Sequence, residues 1–227
     1  MTYALTNEGI KAQLDIVAER DPDIKAAIKA VGYPEERRKD CGFESLLRVI
    51  SGQQLSVKAA ATIHGRVEDL MKHHIKPEVF MALDDEALRG AGLSWQKISY
   101  GCSLCEAVMS GTLPLDDLDS MEDEEAITAI TSVKGLGRWS AEMYMIFSLG
   151  RSDIWPVDDL AVLVGIGHIK GVEERQKPKE IQSWGEAWRP HRSVVALLSR
   201  HYYSNPPLYA HKKRAPKRMP LVVWGSK

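Results

Sequence analysis

The residues best suited to chemistry in this chain lie in two short stretches about twenty residues apart. The first is Ile130-Thr131-Ser132-Val133-Lys134-Gly135-Leu136-Gly137-Arg138-Trp139-Ser140-Ala141. Two glycines around one leucine let the backbone turn tightly between helices, and the amides that open the second helix then point at a common spot. Such a nest, with a helix dipole behind it, is a ready site for a phosphate oxygen. Lys134 and Arg138 supply charge beside it, and Leu136 is placed to tuck under the turn. The second stretch is Ile154-Trp155-Pro156-Val157-Asp158-Asp159-Leu160. Two acids after a proline can open a helix, one capping its amides while the other stays solvated. Cys102 and Cys105 stand in C-x-x-C spacing, but a structural zinc takes four ligands, Cys41 lies some 60 residues upstream, and His73 and His74 have no matching pair. Their setting, Ser99 to Met109, follows a helical apolar pattern, so both are expected to pack as small hydrophobes.

The elements that must position these residues read as helices throughout. Phe43, Leu46, Leu47 and Ile50, then Leu55, Val57, Ala60, Ala61 and Ile63, recur near the 3.6 period, interrupted at Ser51-Gly52-Gln53-Gln54. Ser120-Met121-Glu122-Asp123 predicts a capped start for a helix through Ala126, Ile127 and Ile130. Further helices are expected from Ser140 to about Leu149, from Asp158 or Asp159 to Gly165 or Gly167, and from about Pro190 to Tyr203. No alternating β pattern and no internal repeat appears.

The 227 residues are 44% hydrophobic and 27% charged, which suits a folded soluble chain and excludes disordered and collagen-like classes. No apolar run reaches the roughly 18–20 residues that span a bilayer, and the start of the chain lacks the basic and apolar pattern of a signal peptide. With three cysteines, a reducing compartment is expected, cytosolic or nuclear. The net charge of −1 conceals a strong asymmetry: residues 170–227 hold 13 Lys and Arg against 4 Asp and Glu, and the remainder 17 against 27. That asymmetry suits a protein that meets phosphate on one face, and chance segregation with a basic tail is the alternative.

Together the Gly-Leu-Gly turn and the later acid pair resemble the helix-hairpin-helix DNA glycosylase superfamily. Within it the chain is most similar to the 3-methyladenine DNA glycosylase II, AlkA-like branch. Four blocks carry the resemblance: Phe43 to Ala60, containing Ser51-Gly52-Gln53-Gln54-Leu55-Ser56; Val133 to Ala141; Pro156 to Leu160; and Trp188-Arg189-Pro190-His191-Arg192-Ser193. They span roughly residues 40 to 205. The resemblance implies an all-α fold of two helical lobes with an active-site cleft between them, in the short form without an N-terminal β-rich domain. One glycosylase domain would cover 1–206, with a central lobe of about 44–135 and a second lobe of about 1–43 plus 136–206, followed by a basic tail over 207–227.

It also implies roles. Asp159 aligns with the family's essential aspartate, with Asp158 supporting it as a helix cap or positioning group; a one-residue shift of the alignment exchanges them. A carboxylate there stabilises an oxocarbenium-like sugar and orients water. Trp139, Tyr144, Phe43 and Gln53 are candidates for the base pocket, where an aromatic face favours a cationic alkylated base. Gln54, or Leu55 beside it, would be the wedge that fills the gap left by a flipped nucleotide. Val133, Lys134, Gly135, Leu136, Gly137, Arg138 and Ser140 would form the hairpin that grips the DNA backbone without reading sequence. A family pocket tryptophan would align near Arg200 or His201, and neither supplies that aromatic wall.

The activity implied is monofunctional excision of 3-methyladenine, 7-methylpurines and related lesions from double-stranded DNA. Bifunctional relatives carry a Schiff-base lysine where this chain has Trp139, so no strand scission is expected. No cofactor is expected to be required; the four clustered cysteines of iron–sulfur relatives are absent. Hairpins of this family can hold a monovalent ion, so the resemblance allows a Na or K ion on the carbonyls of Val133 and Leu136. The expected partner is damaged DNA, with no membrane, and the expected state a monomer in the cytoplasm (nucleoid) of a bacterium or the nucleus of a eukaryote. A non-catalytic hairpin module using the same DNA contacts, or a glycosylase with lyase activity, are the competing readings.

Overall fold

A computed structural model describes residues 3–172 and 176–207. The expected basic tail, apart from Pro207, lies outside the described residues, and so do residues 173–175. Among the described residues the chain is all-α, with no strand. It divides into two compact units, one built from the described parts of Met1–Arg38 and Met145–Arg218, the other from Lys39–Tyr144.

The first unit opens with α1 (Asn7–Arg20) and α2 (Pro22–Val31). Each has the start its sequence dictates. Thr6 accepts from Gly9 N–H to cap α1, and Asp21 accepts from Asp23 and Ile24 to cap α2, which begins on Pro22. Ile10, Leu14 and Val17 bury one stripe of α1 at the i, i+4, i+7 spacing.

The second unit contains α3 (Phe43–Gly52), α4 (Val57–Leu70), α5 (Pro77–Met81), α6 (Asp85–Ala91), α7 (Trp95–Met109) and α8 (Asp123–Thr131). Leu46, Leu47 and Ile50 of α3 are buried as the apolar period requires; burying such a side chain stabilises by about 1.5–3 kcal/mol. Gly101 lets α7 lie against Phe80 of α5, since a methyl there would sit 2.6 Å from the ring. Cys105 is buried on α7 and Cys102 half-buried, which fits packing rather than metal binding; burial pushes the Cys105 thiol up to about 12. The capped start expected at Ser120 is not formed. Glu122 is the N-cap of α8 without a side-chain hydrogen bond, and the Ser120 hydroxyl donates to Asp117 O in the preceding turn instead.

Helix α9 (Arg138–Phe147) begins two residues earlier than expected and contains the boundary between the units. The first unit then continues with α10 (Leu160–Ile169), α11 (Pro178–Gly185), a short 3-10 turn at Glu186–Trp188, and α12 (Arg192–Ser204). Helices α10 and α12 form its centre. Ala161, Val162, Leu163 and Ile166 are buried on one, and Val194, Val195, Leu197 and Leu198 on the other. Their backbones approach so closely that a Cβ on Gly165 would lie 2.0 Å from Ser199 O.

Candidate functional site

The hairpin between α8 and α9 lies wholly in the second unit. Gly135 takes φ +94, the left-handed region that glycine enters without strain, and a Cβ there would meet the Tyr100 ring at 2.3 Å. Val133 and Leu136 are buried beneath the turn, and Leu136 N–H donates to Val133 O at 3.0 Å. Gly135 O accepts from Gln53 Nε2 at 2.7 Å. The ladder of α9 begins where Ala141 N–H donates to Gly137 O, so the first-turn amides lead out of the helix N-terminus, the arrangement that binds anions. Lys134 is exposed beside it. Arg138, also exposed, is already committed to carboxylates: its guanidinium forks onto Glu124 at 2.6 and 2.9 Å, and its Nε donates to Glu142 at 3.1 Å. Lys134 is therefore the more available of the two hairpin cations.

The same unit holds the other candidates. The α3–α4 turn puts Gln54 in the left-handed region at φ 56, exposed, with Leu55 half-buried next to it. A non-glycine residue held there costs of order 1 kcal/mol and draws attention to what it presents. Gln53, expected in the base pocket, ties this turn to the hairpin through that bond to Gly135 O. Tyr144 is fully buried, its hydroxyl accepting from Gly42 N–H at 2.8 Å directly before Phe43, itself a core residue. Burial pushes the Tyr144 phenol up to about 12. Trp139 is half-buried and retains accessible surface.

The acid pair lies in the first unit. Capping falls to Asp159, not to Asp158 as the sequence suggested: Asp159 Oδ1 accepts from Ala161 N–H at 2.9 Å and Val162 N–H at 3.0 Å, while Asp158 is exposed. The physical reason is register. Asp159 is the residue immediately before α10 and has the extended backbone of an N-cap, which aims its side chain at the second and third amides. Its Oδ2 accepts from Arg200 Nη1 of α12, and the two side chains are 5% and 12% exposed. Motif reading did not find this partner, which lies 41 residues away in sequence.

The fourth sequence block turns out to hold the loop leading into Asp159. Arg189 Nη1 and Arg192 Nε donate to the Asp153 carboxylate, each at 2.8 Å, and Ser193 Oγ accepts from Ile154 N–H at 2.8 Å. Trp188 packs edge-on against Trp155 and donates its indole N–H to Asp21 at 2.8 Å. One further group has ligand spacing, with oxygen and nitrogen atoms of Glu44, His64 and Glu68 within 4.8 Å of one another. Arg48 already bridges the two carboxylates at 2.9 and 3.0 Å, supplying the cation that such a cluster needs.

The family model described as HhH-GPD superfamily base excision DNA repair protein matches residues 47–190. DNA-3-methyladenine glycosylase 1 of Schizosaccharomyces pombe is 32% identical over 182 residues, covering 78% of this chain and 80% of that protein. A crystal structure of DNA-3-methyladenine glycosidase from Bacillus halodurans superposes with a TM-score of 0.80 at 36% identity, covering 88% of this chain and 91% of that one. The Schizosaccharomyces pombe 3-methyladenine DNA glycosylase in complex with abasic DNA gives 0.76 at 30% identity, over 85% and 97%.

Proposed function

Because this chain belongs to the HhH-GPD superfamily of base excision DNA repair proteins and is by that kinship a DNA glycosylase, we propose that it rotates an alkylated base out of duplex DNA and hydrolyses the N-glycosidic bond without cutting the strand. The observation that carries this reading is Asp159, a buried carboxylate fixed at the N-terminus of α10 by two amides and an arginine. A carboxylate held in this way keeps its negative charge beside the place where a sugar cation would develop. Its fixed orientation means that little reorganisation accompanies bond breaking.

An N3- or N7-alkylated purine is already cationic and leaves readily, so 3-methyladenine, 7-methylpurines and related lesions are the proposed substrates, and no general acid on the base is required. The relatives named for 3-methyladenine support the first of these. Trp139 is the proposed stacking surface, and Gln54 or Leu55 fills the gap in the stack. The hairpin amides of Gly137 to Ser140, with Lys134, hold the backbone, and a Na or K ion on the carbonyls of Val133 and Leu136 would reinforce them. With Trp139 at the position of the lyase lysine, no Schiff base forms. The enzyme would act as a monomer without cofactor, in the bacterial nucleoid or a eukaryotic nucleus.

The test is release of free base from methylated duplex DNA by wild type and Asp159→Asn, with hot alkali to reveal abasic sites. Asparagine keeps an oxygen for the capping amides but loses the charge. Base release by wild type, with a loss of at least about 100-fold in the variant and no nick before alkali, is expected. Equal release by both would move the catalytic role to Asp158 or elsewhere, and borohydride trapping of the protein on DNA would establish lyase chemistry.

A further inference from the structure

Near position 200, where the resemblance implies a family tryptophan that this sequence lacks, the structure puts a guanidinium on Asp159 Oδ2. Asp159 Oδ1 is occupied by Ala161 and Val162 N–H, which fixes one end of the carboxylate. With Oδ1 alone held, the group could still pivot about that atom; Arg200 on Oδ2 fixes the plane. Arg200 is itself steadied, its guanidinium 5.8 Å from the Phe147 ring centre and its backbone in the middle of α12.

A purely architectural pair is the alternative, and the packing argues against it. Helices α10 and α12 are already joined by the Gly165–Ser199 approach and by the apolar side chains buried along both. A buried ion pair adds little net stability compared with apolar side chains of the same volume, because both charges lose their water. What it adds is a direction for the carboxylate.

We propose that Arg200 is a positioning residue for glycosidic hydrolysis, holding Asp159 Oδ2 so that the carboxylate keeps one fixed orientation. This rests on the reading of Asp159 given above. Displacement of a reacting group by about 1 Å can cost about 100-fold in rate. Loss of Arg200 therefore acts on the chemical step and leaves the grip on DNA, which the hairpin provides, largely intact.

The experiment is single-turnover excision from a methylated duplex, with DNA affinity measured by anisotropy and folding by thermal melting, for wild type, Arg200→Ala, Arg200→Lys, Arg200→Gln and Asp159→Asn. Expected is a rate for Arg200→Ala lower by about 10- to 100-fold with DNA affinity within about twofold of wild type. Arg200→Lys should regain part of the rate, and added guanidinium ion should raise the rate of the alanine variant but not of wild type. If the alanine variant does not fold, Arg200→Lys against Arg200→Gln carries the comparison, the lysine expected to be the faster. An unchanged rate in Arg200→Ala would overturn the proposal. So would a faster one, which would make the pair a restraint, or a loss that neither lysine nor guanidinium repairs. If Asp159→Asn releases base as wild type does, the reading of Asp159 has failed, and that failure is separate from any result on Arg200.

Discussion

At the scale of single residues, His64 shows how burial sets a charge state. It is 2% exposed on α4, with Nδ1 3.3 Å from Ser51 Oγ and Nε2 3.0 Å from Glu68 Oε1 but out of hydrogen-bond alignment. Loss of water and the nearby charge of Arg48 push it down to about 4. The unfolded chain takes up this proton as pH falls below about 6.5, whereas the folded chain resists until about pH 4. Stability contributed by neutral His64 is thus complete above the upper value and is lost as pH falls through the window. Between pH 7 and pH 4.5 wild type should lose about 2–3 kcal/mol more than His64→Gln in urea unfolding, and equal losses would show that His64 is not buried in neutral form. Residues of this kind also mark the limit of reading sequence. Asp159 could be singled out because the hairpin and the acid pair after Pro156 resemble a family whose essential aspartate aligns there. Its partner Arg200 could not, because only the packing of α10 on α12 brings the two together. The same holds for Gln53 and Gly135, 82 residues apart.

At the scale of elements, several helices were legible from their apolar periods, as in Phe43 to Ile50 and Val194 to Leu198, whereas α1, α2, α5, α6 and α11 were not read from the sequence. Helix starts were less legible. Ser120 has the residue type of a cap, but the Asp117 carbonyl competes for its hydroxyl, and α8 opens at Asp123 instead. In the hairpin the two glycines look equivalent in sequence and are not in structure. Gly135 needs a positive φ and has no room for a methyl beside Tyr100; Gly137 has ordinary backbone and nothing within 4 Å of where a methyl would stand. Gly135→Ala should therefore cost about 2–4 kcal/mol, from strain and overpacking together. Gly137→Ala should leave stability within about 0.5 kcal/mol. If the α9 amides meet a phosphate, the methyl on residue 137 stands in the way, and affinity for duplex DNA should fall about tenfold with no change in melting temperature. Anisotropy titration beside a thermal melt reads both numbers, and unchanged affinity would remove this face of the hairpin from the DNA contact.

At the scale of the whole molecule, the question is which of the many cations can neutralise phosphate. The formal charge is −1, and the basic excess lies in residues 170–227. Within the described part of that segment much of the excess is already spent internally. Lys170 binds Asp21 and Asp23, Arg189 binds Asp153 and Glu186, Arg192 binds Asp153, and Arg200 binds Asp159. Arg138 at the hairpin is likewise paired. Cations held by carboxylates release few counterions when DNA binds, since their charge is compensated beforehand. The remaining concentration of positive charge is Lys212, Lys213, Arg214, Lys217, Arg218 and Lys227, six residues within 208–227. Each phosphate neutralised steepens the fall of log affinity with log salt by about 0.9. A chain ending at Pro207 should thus bind duplex DNA more weakly at low salt, with a slope shallower by about 1–3, and the two forms should converge as salt rises. Its single-turnover excision rate with DNA saturated should match that of the full chain, because Asp159, Arg200 and the hairpin are all retained. An unchanged slope would mean that the tail makes no phosphate contact and that Lys134 and the hairpin amides hold the duplex without it.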